Sequence, residues 1–502
     1  MGVASQNRRT SGMTWMQRVD YPLGSSGRTD RGQPAPLPWV FKDRSHAFWA
    51  LAAFFVVLFF TGGSSRADVP TLLVLRPASV LFFAYGLFTI RREHIAAHKP
   101  LFWFAAALCA LPILHILPLP PVLWEMLPGR ALIAQIDAAA GIAGTWRPLS
   151  MAPSLTWNAL YALFTPLAAL FLGAQLKDGE HKYVVLLLIA LALLWQILSV
   201  LQILGSEASP LYFYAGGISG VPVGPFANRN HFAIFMAAMV PMIAYFVRAH
   251  ANRPQPSRIF AGGISGLLAL VLILISGSRA GLIGGILALL ALPVLLAGKR
   301  RRHAPGTEIS RPVRVAAAVA ILTVLAVLAA IILSGKGESV QHLFGSDPTR
   351  DPRMKVWPVV FAHIMDFFPF GCGIGTYEQV FQMLEPNALL RSTYSNHAHN
   401  DWLEILFTAG LPGVLLLIAA TAATVVAAWK IMRASPQDPV RLGRAGILVI
   451  GLLAFGSIAD YPLRVPILAA LFVEACLWVS IGFRVPRSKG TNARGDSRSL
   501  SK

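Results

Sequence analysis

Arg279 stands in Ser276-Gly277-Ser278-Arg279-Ala280-Gly281, between two long apolar runs with almost no loop. An arginine there is costly unless it faces a protein cavity or the membrane interface. Its planar fork suits bidentate contact with phosphate oxygens. A snorkelling arginine beside helix-packing glycines fits the same residues equally well. His399 stands in Ser395-Asn396-His397-Ala398-His399-Asn400-Asp401-Trp402-Leu403-Glu404. Asp401 with Glu404 reads as a capping box opening the next apolar run, which accounts for both acids without a function. Histidine, titrating near neutral pH, is the natural proton acceptor. His397 and His399 could also ligate a metal, but H-x-H alone is a weak metal signal.

Pro225-Phe226-Ala227-Asn228-Arg229-Asn230-His231-Phe232 precedes another apolar run. Asn and Arg at a helix N-terminus suit an anion; ordinary capping by Asn230 suits the sequence as well. In Asp460-Tyr461-Pro462-Leu463-Arg464-Val465-Pro466, a tight turn, the plainest reading pairs Asp460 with Arg464. Asp351-Pro352 reads as an N-cap with proline at the first helical position. Arg353, Trp357, Val360, Ile364 and Phe367 then recur at helical spacing, and Pro358 should kink or interrupt that helix. Gly371-Cys372-Gly373-Ile374-Gly375 reads as a flexible turn, followed by a short helix near Tyr377 to Leu384. Arg76, inside an apolar run, needs a partner that the sequence does not identify.

The elements that position these residues are membrane helices. The 502 residues are 55% hydrophobic and 13% charged, too few polar groups to cover a soluble protein of this length. Apolar runs long enough to cross a hydrocarbon core of ~30 Å recur along the chain. In lipid the backbone must satisfy its own hydrogen bonds, so these runs are helices. About twelve spans are expected: 46–62, 69–90, 100–121, 156–176, 183–204, 231–248, 259–277, 280–298, 315–334, 402–429, 445–460 and 463–483. The fold class is therefore all-α and polytopic. A basic, disordered cytoplasmic tail (1–45) precedes spans one to nine (46–334). A large periplasmic loop with short helices (335–401) leads to spans ten to twelve (402–483) and a second basic tail (484–502). Residues 122–155, also on the outer side, could lie flat on the membrane as an amphipathic helix.

The formal net charge of +20 does not point to nucleic acid. About 31 of the 43 Lys and Arg fall in the tails and alternate loops, with about 9 of the 23 acids, as the positive-inside rule requires. Both termini are then cytoplasmic, and the excess charge meets anionic lipid. Cys109 and Cys476 lie in apolar spans and Cys372 is alone in the outer loop, so no disulfide framework exists.

Together the motifs resemble the O-antigen ligase and polymerase family of bacterial membrane glycosyltransferases. The resemblance rests on FANRNHF at 226–232, SGSRAG at 276–281, RMKVW at 353–357 and GCGIG at 371–375. It also takes in HAHNDWLEILFTAGLPG at 397–413 and DYPLRVP at 460–466. It covers roughly 220–470, the earlier spans matching only in pattern. It implies an inner-membrane enzyme that takes a glycan from an undecaprenyl-diphosphate carrier on the periplasmic side. The acceptor is a sugar hydroxyl, on lipid A–core for a ligase or on a growing repeat chain for a polymerase. By the same resemblance Arg279 and His399 occupy the positions of the essential arginine and histidine. Arg229, Arg353 and Arg464 are further substrate-binding candidates, and the doubled histidine lets His397 share a role. The NRNH and DYPLR variants look closer to the capsule and exopolysaccharide branch.

The chemistry is compatible with these residue types. Arginines stabilise a departing diphosphate, and a histidine takes the acceptor's proton. No nucleotide-sugar or Asp-x-Asp motif is apparent, and a lipid-linked donor needs neither ATP nor nucleotide. No cofactor and no essential metal are therefore expected. The rival class is a transporter or flippase for an anionic or lipid-linked solute, for which a similar span count and cavity arginines would also serve. Paired Gly/Pro-interrupted helices in matching halves are not seen.

Overall fold

The computed structural model describes residues 44–205, 209–214, 220–249, 256–296, 352–390 and 394–485. The expected span 315–334, nearly all of both tails, the basic loop 299–314 and the Asp351 cap lie outside them. The first half contains α1 (His46–Thr61), α2 (Leu72–Thr89), α3 (Arg92–Ala97), α4 (Lys99–Ile116), α5 (Pro121–Glu125), α6 (Ala131–Ala139), α7 (Pro153–Ala162), α8 (Phe164–Gly173) and α9 (His181–Leu204). Then follow α10 (Arg229–Arg248), α11 (Pro256–Ile275), α12 (Arg279–Leu290), α13 (Leu292–Leu296), α14 (Pro352–Ala362), α15 (Tyr377–Leu384), α16 (Asp401–Met432), α17 (Asp438–Ala459) and α18 (Pro466–Arg484). Among the described residues nine helical segments are long and apolar enough to cross a membrane, α7 and α8 counting as one. α1 and the α12–α13 pair are shorter apolar helices. The protein is an all-α, multi-pass membrane protein. The two-residue strands β1 (Pro118–Leu119) and β2 (Arg147–Pro148) pair antiparallel.

Prolines decide where the spans break. Pro166 has no N–H for the carbonyl of Ala162, and the expected single span 156–176 divides into α7 and α8 at Leu163. Pro293 likewise stands just after the division of α12 from α13 at Ala291. Pro358 does not interrupt its helix as expected: α14 runs through it to Ala362. Arg76, half-buried on α2, has a partner after all in the side-chain oxygen of Asn158 on α7.

α10 is the centre of the bundle, with 83% of its span buried inside the protein, against 11% for α4 and for α16. It packs on α9, α11, α12 and α17. α17 and α18 approach through glycine: a Cβ on Gly443 would lie 3.0 Å from the Cα of Gly482.

The glycine-rich segment 371–375 is not the flexible turn expected. It is locked against a break in α16. Pro412 has no N–H to give the carbonyl of Thr408, and the amide of Leu411 turns instead to the carbonyl of Pro369, at 2.7 Å. The freed carbonyls of Phe407 and Thr408 accept from Cys372 N (3.1 Å) and Gly373 N (2.9 Å). Gly410 makes the break with φ 57° and ψ −148°, a conformation essentially confined to glycine. On its other side the segment holds the start of α7, where Met151 N donates to Cys372 O at 2.8 Å. Cys372 is fully buried there, and burial pushes its thiol up to about 12.

Candidate functional site

Asp460 caps the C-terminal end of α17 and is buried. A lone carboxylate at the end of an apolar helix must find donors, and here they come from three other parts of the chain. Asn228 and Asn230, at the start of α10, donate their side-chain amides to Oδ2 at 3.1 and 2.8 Å. His399 Nδ1 lies 3.1 Å from Oδ1. The backbone N–H of Tyr461 also donates to Oδ1, at 3.1 Å. His231 Nε2 (3.5 Å) and Arg353 Nη2 (3.7 Å) complete the surround at ion-pair distance. Burial alone would raise this carboxyl. His231, His399 and Arg353 outweigh it and hold Asp460 well below the usual carboxylate range.

An ionised carboxylate only accepts, so His399 carries its proton on Nδ1 and leaves Nε2 as the acceptor. Burial lowers the His399 pKa below 6.5, against the opposing pull of Asp460, so the ring is neutral at pH 7. Its backbone is held in the left-handed region at φ 52°, uncommon for a non-glycine residue. Trp357 Nε1 fixes the preceding peptide by donating to Ala398 O at 2.8 Å.

The turn that bears Arg279 joins the same network. Ser278 is the N-cap of α12: its Oγ accepts from Gly281 N at 3.0 Å and donates to Asn230 Oδ1 at 2.8 Å. Hydrogen bonds therefore run from Ser278 through Asn230 and Asp460 to His399. Arg279, half-buried, is the first residue of α12, and Arg229, also half-buried, is the first of α10. Arg353 donates to Ala459 O at 2.9 Å. A small hollow beside this network is lined in part by Asn230, His231, Ala280 and Asp460.

Arg464 lies in a second cluster and does not pair with Asp460 as expected. Its Nε donates to Asp401 Oδ1 at 2.8 Å, and Nη2 lies 3.2 Å from Glu404 Oε1. Glu404 also faces His397 Nδ1 at 3.0 Å and accepts from Ala398 N at 2.9 Å. The capping box read at Asp401 is therefore displaced. Asn400 is the N-cap, accepting from Leu403 N at 3.1 Å, and both acids serve the arginine and histidine. Similarly Asn228, not Asn230, caps α10. His397 and His399 face different carboxylates, so the H-x-H pair does not converge on one point.

Tyr461 joins the two clusters. Its ring centroid lies 4.2 Å from that of His397 and 4.9 Å from those of His399 and His231. Burial pushes its phenol up to about 12, which keeps it neutral. Asp460, Tyr461 and Ser278 were missed as site residues in the sequence, and the asparagines of 228–230 were read there as an anion site or a helix cap. The available signal was Asp460 itself, a charge between two apolar spans.

Residues 264–418 match the family model described as O-antigen ligase. This match, over less than half of the chain, supports an assignment to the O-antigen ligase/polymerase family. The matched stretch contains Arg279, Arg353, His397 and His399. Arg229, Asp460 and Arg464, which complete both clusters, lie outside it. No curated protein matches the chain. The matched family implies glycosyl transfer of the ligase or polymerase type, at the family level.

Proposed function

We propose that this multi-pass protein of the bacterial inner membrane, with both termini cytoplasmic, transfers a glycan from an undecaprenyl-diphosphate carrier to a sugar hydroxyl on the periplasmic side. It is an O-antigen ligase or a surface-polysaccharide polymerase, and the acceptor is accordingly lipid A–core or another glycan. The observation that carries this reading is the contact of His399 Nδ1 with the buried Asp460, which leaves Nε2 as a neutral base. The acceptor oxygen attacks the anomeric carbon and forms the new glycosidic bond. The bond from that carbon to the diphosphate oxygen breaks, and undecaprenyl diphosphate leaves with the electron pair. The acceptor's proton passes to Nε2 of His399. Arg279, Arg229 and Arg353 stabilise the diphosphate charge as it develops. His397 and Arg464 bind substrate from the adjoining cluster.

The test is His399→Ala in a strain lacking the native gene, with surface glycan and carrier-linked donor measured together. Normal protein level, accumulated donor and no transfer are expected. Near-normal transfer by both His399→Ala and His397→Ala would remove histidine base catalysis from the mechanism. Unpolymerised single repeats in the deletion strain would identify a polymerase; long carrier-linked chains with bare core would identify a ligase.

A further inference from the structure

Residues 117–146 connect α4 to β2, and their polarity is inverted. Two of the three charged side chains, Arg130 and Asp137, point inward. Arg130 is 1% exposed and donates to the carbonyls of Pro128 (2.8 Å), Leu149 (2.6 Å) and Gly371 (3.4 Å). Asp137 is buried in an ion pair with Arg147. Trp124 is buried, but most of the large apolar side chains point outward, with Met126 77%, Val122 73% and Trp146 61% exposed. Leu123, Leu132 and Ile136 are exposed with them, and Glu125 is the one exposed charge of the segment. A loop facing water would have the opposite arrangement.

This face is continuous with a lipid-facing helix. α4 is almost unburied by protein, exposes Ile113 and Leu114, and runs through exposed Leu117 directly into the segment. Trp157 and Tyr161 on α7, the next helix, are exposed too. Trp and Tyr concentrate where hydrocarbon meets water. We propose that residues 117–146 form an interfacial platform whose apolar face is covered by the lipid leaflet on the site side of the membrane.

The expected flat amphipathic helix is thus replaced by α5, α6 and the β1–β2 pair, folded around inward charges. Arg130 ties the platform to Gly371, in the segment that crosses α16 at its break. Lipid around the platform sets the level of that break. Asp401 lies nine residues before Gly410, roughly 13 Å along a helix. His399 and its partners are then held clear of the hydrocarbon. This inference does not depend on the glycosyl-transfer reading.

The experiment places single cysteines at Met126 and Ile136, both exposed, and at Asn387 as a control in the exposed part of the outer loop. Each is labelled with bimane in vesicles of phosphatidylethanolamine and phosphatidylglycerol. The unsubstituted protein corrects for Cys109, Cys372 and Cys476. Nitroxide lipid, labelled near the headgroup end of its acyl chain, should quench Met126 and Ile136 several-fold more than Asn387. Aqueous iodide should show the reverse order. Iodide quenching of Met126 and Ile136 equal to that of Asn387 would overturn the proposal. So would protection from both quenchers, which would mean that a protein partner or a second copy covers the face.

Discussion

Arg464 holds Asp401, 63 residues earlier in the chain, with Nε donating to Oδ1 at 2.8 Å. The same guanidinium reaches Glu404, whose side chain is almost wholly buried. Removing it leaves Asp401 with Ser457 and Glu404 with His397 and Ala398 N but without their arginine charge, and a broken buried pair typically costs about 3–5 kcal/mol. Arg464→Ala should therefore lower the thermal midpoint in nanodiscs substantially. Adding Asp401→Asn should recover part of the loss, because one uncompensated charge is gone. An unchanged midpoint in the single variant would show that the cluster does not hold the fold.

Among the described residues the spans were legible because they depend on local composition, and the helices follow most of the apolar runs. The first residues of helices were less so. Where two capping types stand close together, tertiary partners choose between them. Asp401 cannot cap α16 because Arg464 and Ser457 take its oxygens. Asn230 does not cap α10; Asp460 and Ser278 engage its amide. The Asp460 hub was illegible for a related reason. Its partners lie 61, 230 and 232 residues away, and only the packing of α10 and α16 on α17 brings them together. The packed 371–375 segment was misread because its glycines suggest freedom, while the carbonyls that hold it belong to a proline-broken helix elsewhere.

The neutral state of His399 gives a pH dependence with a definite sign. Burial lowers its pKa below 6.5, so on the proposed mechanism the rate should hold at neutral pH and fall only below pH 6.5. Asp460 opposes that shift, so Asp460→Asn should carry the acid limb further down in pH, not up. It should also slow transfer at every pH, because asparagine offers one acceptor oxygen to the donors of Asn228, Asn230 and His399 and no longer fixes the His399 tautomer. General-base catalysis is worth ~10²–10⁴-fold, which bounds the loss. A rate–pH profile of the Asp460→Asn protein with its limb moved toward neutrality would contradict this account.

Gly410 and Gly373 are two of the points where the crossing tolerates no side chain. A Cβ on Gly410 would lie 2.2 Å from Pro369 O, and one on Gly373, at φ 118°, would lie 2.6 Å from Ser150 Oγ. Backbone strain of this kind costs about 1–3 kcal/mol per residue before any clash. Both alanine variants should unfold at lower temperature. Cysteine reactivity supplies an independent readout, because Cys372 is sealed beneath the crossing. It should react with maleimide faster in either variant than in the parent. Parent-like reactivity together with a parent-like midpoint would mean that the crossing adapts without opening.

Arg279 and Ser278 are neighbours whose contributions separate. Ser278 caps α12 and links it to Asn230, so Ser278→Ala should cost about 1 kcal/mol of stability through the cap. Arg279 begins the helix, and on the proposed reading its fork holds diphosphate oxygens. Lysine keeps the charge and loses the fork. Each charged hydrogen bond lost costs ~1.5–3 kcal/mol, roughly ten- to a hundredfold in transfer rate. Arg279→Lys should thus lose most activity at an unchanged thermal midpoint, and Arg279→Ala somewhat more. Full activity in the lysine variant would leave Arg279 only the role of a point charge. A stable, inactive lysine variant beside an active but less stable Ser278→Ala would separate phosphate recognition from helix capping. A poorly inserted Arg279→Ala would instead make the arginine a packing residue that holds α11 and α12 together.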